Sequence, residues 1–256
     1  MTLNLIGIGL NDEKDITVKG LELVKKSDLI YLESYTSKLQ CEVSVLEEFY
    51  GKKVIIADRD MVESDNNEII ENSKDKEVSL LIIGDVFSAT THTDIMMRCK
   101  ELKIDVKIVN NAAILTAVGI TGLQLYKFGK TTSIPYPEEN FAPETAYDVI
   151  KENNKIGLHT LCLLDIKKDL EKYMSVNEAI EILLKIEDKR GENVFTNETF
   201  CIGCARLGGD FVIKAGKASE LLQFDFGKPL HCLIVPGKMH FMEEDILNMF
   251  KVTNIS

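Results

Sequence analysis

The residues best equipped for chemistry stand in one run, Gly84-Asp85-Val86-Phe87-Ser88, continued by Ala89-Thr90-Thr91-His92. Small side chains let a ligand approach the backbone, and the lone carboxylate can draw a cation or accept a ligand's hydrogen bonds. Gly and Asp also mark plain turns, and that reading stays open beside the first. Gly7-Ile8-Gly9 offers a second ligand-approach loop, but Asp12 stands where a dinucleotide fingerprint needs its third glycine. Glu33 is the nearest acidic residue for a ribose, and it falls outside clean register, so a nicotinamide oxidoreductase is disfavoured. Cys201-Ile202-Gly203-Cys204 is half a zinc motif without a second half, and the histidines are scattered at 92, 159, 231 and 240. Residues three apart on a strand face opposite ways, so these thiols read as core groups and no metal site is expected.

Elements must position the Gly-Asp run. Val78 to Ile83 is almost wholly apolar without alternation, the pattern of a strand buried on both faces. A helix spanning 92–102 follows, with Ile95, Met96, Cys99 and Leu102 in its pattern and Thr91 and Asp94 resembling a capping box. Strand, loop and helix make half of a βαβ unit, whose ligands gather at the carboxyl ends of the strands.

The remaining pattern repeats this alternation. Strands are expected at Leu3–Ile8, Leu29–Leu32, Lys53–Ala57 and Val106–Val109, with helices at Thr17–Lys26, Val43–Tyr50 and around Glu68–Asn72. Residues 110–129 read as an apolar helical crossing between domains, and 134–140 as a loop. A helix from Pro143 to Asn153 opens the second half, followed by an apolar strand from Ile156 to Leu164 closed by Asp165. Ser175-Val176-Asn177-Glu178 is a capping box for a helix with Val176, Ala179, Ile180, Leu183 and Leu184 inward. Strands at 199–205, 211–215 and 230–235 lack helices between them, which predicts a mixed sheet, and Met242–Phe250 reads as a terminal amphipathic helix. The expectation is an α/β chain of two domains, 1–112 and 113–256, with the boundary inside 110–130.

The 256 residues carry a formal charge of −11 and are 45% hydrophobic. So acidic a balance opposes binding to a phosphate backbone, so no direct nucleic-acid partner is expected. No apolar run approaches the ~20 residues of a membrane span. The start lacks a signal-peptide pattern, and with six cysteines the reading is a cytoplasmic chain with reduced thiols.

Taken together, the motifs resemble the diphthine synthase family, in the tetrapyrrole methylase-like class of S-adenosylmethionine enzymes. The resemblance runs end to end. It is carried by Ile6-Gly7-Ile8-Gly9-Leu10, Asp15-Ile16-Thr17-Val18-Lys19-Gly20-Leu21, Tyr35-Thr36-Ser37 and Gly84-Asp85 with Ala89-Thr90-Thr91-His92. Further blocks are Ala117-Val118-Gly119, Tyr126-Lys127-Phe128-Gly129-Lys130, Leu158-His159-Thr160-Leu161, Leu164-Asp165-Ile166-Lys167, Ala205-Arg206 and His231 with Val235-Pro236-Gly237-Lys238.

The resemblance implies a mainly parallel N-terminal sheet, a mixed C-terminal sheet and a cofactor cleft between two α/β domains, in a homodimer. It implies transfer of methyl groups from S-adenosylmethionine, leaving S-adenosylhomocysteine, to a histidine of translation elongation factor 2 bearing a 3-amino-3-carboxypropyl group. The short region between Ile166 and Tyr173 is like archaeal members and favours three methylations, giving diphthine, over the four-methyl ester. The family's cofactor contacts carry over onto Leu10, Asp85, Ser88, Ala113, Ile114, Leu164, Leu207 and His231. Val86 replaces a usual proline, and Ala113 a usual serine, which leaves Ala113 only its backbone and methyl group for contact.

Methyl transfer to an amine asks the protein to align the donor carbon with nitrogen, exclude water and accept a proton. Asp85 is expected to favour the cationic cofactor, and no residue is singled out as the base. His92 reads as a helix-start residue, and Lys127 and Lys130 as solvated cations that would also suit a substrate carboxylate. Two other readings remain: a tetrapyrrole methylase of the same fold, and a non-catalytic S-adenosylmethionine-binding module.

Overall fold

The computed structural model describes residues 2–64, 67–88, 92–138 and 142–252. The chain divides into two compact units, Met1–Ala117 and Val118–Ser256, which puts Ala113 and Ile114 in the first.

In the first unit β1 (Thr2–Gly7), α1 (Val18–Lys26), β2 (Leu29–Glu33), α2 (Val43–Tyr50) and β3 (Ile55–Ala57) are followed by α3 (Arg59–Glu63) and α4 (Glu68–Asn72). Then come β4 (Glu77–Ile82), α5 (Thr93–Glu101), β5 (Asp105–Val109) and the single turn α6 (Ile114–Ala117). The five strands run β3-β2-β4-β1-β5, all parallel, with β2, β4 and β1 inside. Continuous apolar runs make this possible, because helices cover both faces. Leu3, Leu5, Leu80 and Ile82 pack on one side and Ile6, Ile8 and Leu81 on the other. Every residue of β1 is buried. α1 is capped by Thr17, whose side chain accepts the Gly20 N–H at 3.0 Å. The expected Thr91 cap and the rest of Ala89-Thr90-Thr91 lie outside the described residues. His92 is the N-cap of α5, is buried, and donates from Nδ1 to the Val86 carbonyl at 3.1 Å.

The second unit holds β6 (Thr132–Ile134), α7 (Thr145–Lys155), β7 (Thr160–Leu164), β8 (Ile166–Lys167), β9 (Lys172–Tyr173) and α8 (Val176–Arg190). It ends with β10 (Phe200–Ala205), β11 (Val212–Lys217), the turn α9 (Ala218–Leu221), β12 (His231–Val235) and α10 (Phe241–Leu247). Its sheet runs β11-β10-β12-β7-β6 and is mixed: only β6 and β7 are parallel. α8 starts at the full Ser175–Glu178 capping box, and Val176, Ala179, Ile180 and Leu183 are buried in the core.

Four expectations are corrected. Residues 114–127 form one short helix and two single-turn 3₁₀ helices, since Gly119 and Gly122 interrupt the helical pattern. Ile134 belongs to a strand, because Thr132–Ile134 pairs with Cys162–Leu164. Pro143 precedes α7, whose N-cap is Glu144. β7 starts at Thr160, because Ile156 is the C-cap of α7 and Gly157 turns at a φ of 75°. Within the 134–140 loop, Glu139-Asn140 lie outside the described residues.

Candidate active site

Three loops meet at the carboxyl end of the parallel sheet. Gly9 and Gly84 bond reciprocally: the Gly84 N–H donates to the Gly9 carbonyl at 2.7 Å, and the Gly9 N–H donates to that of Gly84 at 3.2 Å. Both have left-handed backbones, with φ of 82° and 88°, which only glycine adopts without strain. A Cβ on Gly9 would stand 2.3 Å from the Asp15 Cβ.

Asp85 organises the loops. Its Oδ1 accepts the Asn111 N–H at 2.9 Å and the Asn110 side-chain amide at 3.0 Å, and its Oδ2 accepts the Phe87 N–H at 3.2 Å and the Ser88 hydroxyl at 3.3 Å. Partial burial pushes its pKa up, but the donors from Asn111, Asn110, Phe87 and Ser88 outweigh it and hold the pKa below the usual value. A carboxylate has about four acceptor positions. Four donors thus occupy the Asp85 oxygens, so what it offers a ligand is chiefly its charge and the loops it holds.

Asp15 and Asn111 complete the frame, and sequence reading missed both. Asp15 Oδ2 accepts the Leu10 N–H at 3.0 Å and the Asn11 N–H at 2.8 Å. The Asn111 amide donates to the Gly7 carbonyl at 2.9 Å and the Asp15 carbonyl at 3.0 Å. The available signal was an amide pair, Asn110-Asn111, directly after a strand. The frame brings together Leu10, Asp85, Ser88 and Ala113, with Ile114 opening α6. Ala113 is buried and its carbonyl accepts the Thr116 N–H at 3.0 Å. A Cβ on Gly84 would enter the space flanked by the Ala112 carbonyl and the Leu10 side chain, each 3.8 Å away. Bare backbone, apolar walls and a carboxylate at the rim fit an adenosyl group attached to a cation.

In the second unit, Leu164, Leu207 and His231 gather at one rim of the sheet. β7 ends at Leu164, β12 begins at His231 beside it, and β10 ends at Ala205, paired with His231. Leu207 follows Arg206, whose N–H donates to the Leu230 carbonyl at 2.8 Å. The Arg206 guanidinium also donates to the Phe226 carbonyl at 2.9 Å and the Asp210 carbonyl at 3.1 Å. His231 Nε2 donates to the Lys228 carbonyl at 3.0 Å, which leaves Nδ1 to accept the Val176 N–H at 3.4 Å. Burial lowers its pKa against the opposing pull of the Lys228 carbonyl, so the ring is neutral.

Lys127 is no solvated cation. It pairs with Glu243 and donates to the Lys238 carbonyl at 2.8 Å, while Lys130 is exposed. The other Glu243 oxygen accepts from His159 Nε2 at 3.1 Å, so this cluster closes on itself. Cys201 and Cys204 are both fully buried. Burial pushes the Cys201 thiol up, and a hydrogen bond with Cys232, with burial added, pushes up that of Cys204. Among the described residues no group of His, Cys, Asp or Glu could hold a metal ion, and no helix is long and apolar enough to cross a membrane.

Comparison with known proteins agrees with this architecture. Residues 2–199 match the family model of the tetrapyrrole (corrin/porphyrin) methylases. A diphthine synthase of Methanococcus maripaludis strain C5 is 51% identical over 247 residues, covering 96% of this chain and 97% of the relative. A diphthine methyl ester synthase of Dictyostelium discoideum is 48% identical over 270 residues, covering 98% of this chain and 99% of the relative. A diphthine synthase of known crystal structure superposes with a TM-score of 0.90 at 37% identity, covering 98% of this chain and 96% of the other. With its parallel first sheet, its mixed second sheet and its end-to-end similarity, the chain belongs to the diphthine synthases of the tetrapyrrole methylase family.

Proposed function

We propose that this methyltransferase moves three methyl groups from S-adenosylmethionine to the amino nitrogen of the 3-amino-3-carboxypropyl-histidine of translation elongation factor 2, forming diphthine. The observation that carries the reading is the 51% identity to a diphthine synthase along nearly the whole of both chains. Three rather than four transfers are favoured by the shortness of the segment after β7. There β8 and β9 have two residues each and are joined by one 3₁₀ turn. The Dictyostelium alignment runs over 270 residues, more than the 256 of this chain, whereas the Methanococcus alignment runs over 247.

S-adenosylmethionine supplies a methyl group on a sulfonium when bound. Leu10, Ala113 and Ile114 suit its adenosyl group in the first unit, and Leu164, Leu207 and His231 stand at the second unit's rim. Asp85 contributes negative charge and holds the Asn110–Ala113 strap. The protein substrate is the elongation factor, and the enzyme works as a homodimer in the cytoplasm.

Mass spectrometry tests the reading directly. Elongation factor 2 bearing the unmethylated group is incubated with this protein and S-adenosylmethionine. A gain of three methyl masses at the modified histidine is expected, and a gain of four moves the product to the methyl ester. No gain with the cofactor bound removes the reading and leaves a corrin or porphyrin as the acceptor to test, following the family's description.

A further inference from the structure

Beside Leu164, at the rim of the second unit's sheet, a tyrosine is held by both ends and has a cation resting on its face. Tyr136 follows β6, and its N–H donates to Asp165 Oδ2 at 2.8 Å, while the Asp165 N–H donates to the Ile134 carbonyl at 3.2 Å. The Tyr136 hydroxyl donates to Glu178 Oε2 at 3.2 Å. Glu178 is itself fixed by the capping box, accepting the Ser175 N–H at 2.8 Å. Tyr136 is only 7% exposed. Over it lies the Lys172 ammonium, 3.7 Å from the ring centroid, on the exposed strand β9. Two carboxylates thus hold the tyrosine, Asp165 at its backbone N–H and Glu178 at its hydroxyl, and its ring already takes an ammonium.

We propose that the Tyr136 face, with Asp165 as its counter-charge, receives the substrate's amino nitrogen, Lys172 swinging aside, and holds it through its successive methylations. The inference rests on the acceptor being the amine named above.

The chemistry supplies the reason. In each round the ammonium loses a proton, the nitrogen lone pair forms a bond to the methyl carbon, and the carbon–sulfur bond breaks onto sulfur. Over three rounds R–NH₃⁺ and three sulfonium donors become R–N(CH₃)₃⁺, three thioethers and three protons. The nitrogen ends each round cationic, but it loses one N–H each time. A site built on hydrogen bonds would lose its grip as methyls accumulate. An aromatic face with a nearby carboxylate does not, because it reads charge and apolar bulk, as cages for quaternary ammonium groups do. Lys172 is a fitting resident, since a compact ammonium on a flexible stem can leave without disturbing the fold.

The test compares Tyr136→Leu, Tyr136→Phe and Lys172→Met on elongation factor 2 carrying the unmethylated group. Tyr136→Leu is expected to raise the KM for the factor about tenfold and to release mono- and dimethyl products. It should also weaken direct binding of the fully methylated factor about tenfold, while S-adenosylhomocysteine binding by calorimetry stays as in the parent. Tyr136→Phe keeps the ring and restores the full-methyl product pattern. Lys172→Met, on an exposed strand, removes the competing ammonium, and the KM should fall about two- to tenfold. The proposal is overturned if Tyr136→Leu gives the parent's product pattern, if Tyr136→Phe behaves like Tyr136→Leu, or if Lys172→Met leaves the KM unchanged or raises it. A parent enzyme that binds S-adenosylhomocysteine but transfers no methyl group to the factor overturns the functional reading, and with it this one.

Discussion

Asp85 Oδ1 accepts the backbone N–H of Asn111 at 2.9 Å and so ties the loop after β4 to the strap after β5. Asp85→Asn puts an amide nitrogen where two donors now point. Leaving such donors unsatisfied costs about 1–3 kcal/mol. The expected result is a lower urea midpoint and S-adenosylhomocysteine binding weakened about tenfold, read by calorimetric titration. Unchanged affinity would show that neither the charge nor the strap matters to the ligand.

Gly9 cannot carry a side chain. Its φ of 82° disfavours L residues, and the added carbon would stand 2.3 Å from the Asp15 Cβ. Gly9→Ala is expected to destabilise the first unit by more than about 1 kcal/mol. It should also displace Asp15 from the Leu10 and Asn11 N–H groups. Amide hydrogen exchange at Leu10 and Asn11 reports this, and parent-like protection there would refute it.

His231 gives the fold a pH dependence of definite sign. Its folded pKa lies below the ordinary value because of burial, so the neutral ring stabilises the fold fully above pH ~6.5. That contribution is lost as the pH falls, since Nδ1 must gain a proton while facing the Val176 N–H. Urea unfolding of the parent and of His231→Ala, compared from pH 7.5 down to 5, should show the shallower slope in the variant. Parallel slopes would assign the titration elsewhere.

Glu243 acts at lower pH. Burial raises its pKa, but the N–H groups of Gln124 and His240, with Lys127 and His159, bring it down to about 2. Its stabilisation is therefore complete above about pH 4.5 and disappears as the pH falls toward the folded value. Glu243→Gln leaves Lys127 without its carboxylate and is expected to cost about 3 kcal/mol at pH 7. Chemical denaturation at pH 7 and pH 3 checks both statements: the variant should be much less stable than the parent at pH 7, and the gap should narrow at pH 3.

Local pattern already determined much of this molecule. Unbroken apolar runs such as Leu80–Ile82 announce burial on both faces, and alternation with helices announces parallel pairing. The Ser175–Glu178 box is chemistry confined to one turn, so it was legible as written. Thr132–Ile134 was not, because a three-residue strand carries no periodic signal and exists here through its parallel pairing with β7. Apart from Asp85, which the Gly-Asp run itself singled out, the candidate contacts were legible only through their likeness to a family. How those residues are held was decided by tertiary structure. Lys127 and Glu243 are 116 positions apart, and nothing near Lys127 in the chain says that its ammonium is already taken. Nor does the text around Asp85 say that its oxygens are filled by two different loops, or that around Tyr136 that Lys172 rests on its face. Periodicity reports which side of an element is buried. The partner of a polar side chain depends on which distant loops the sheet order brings to the same rim.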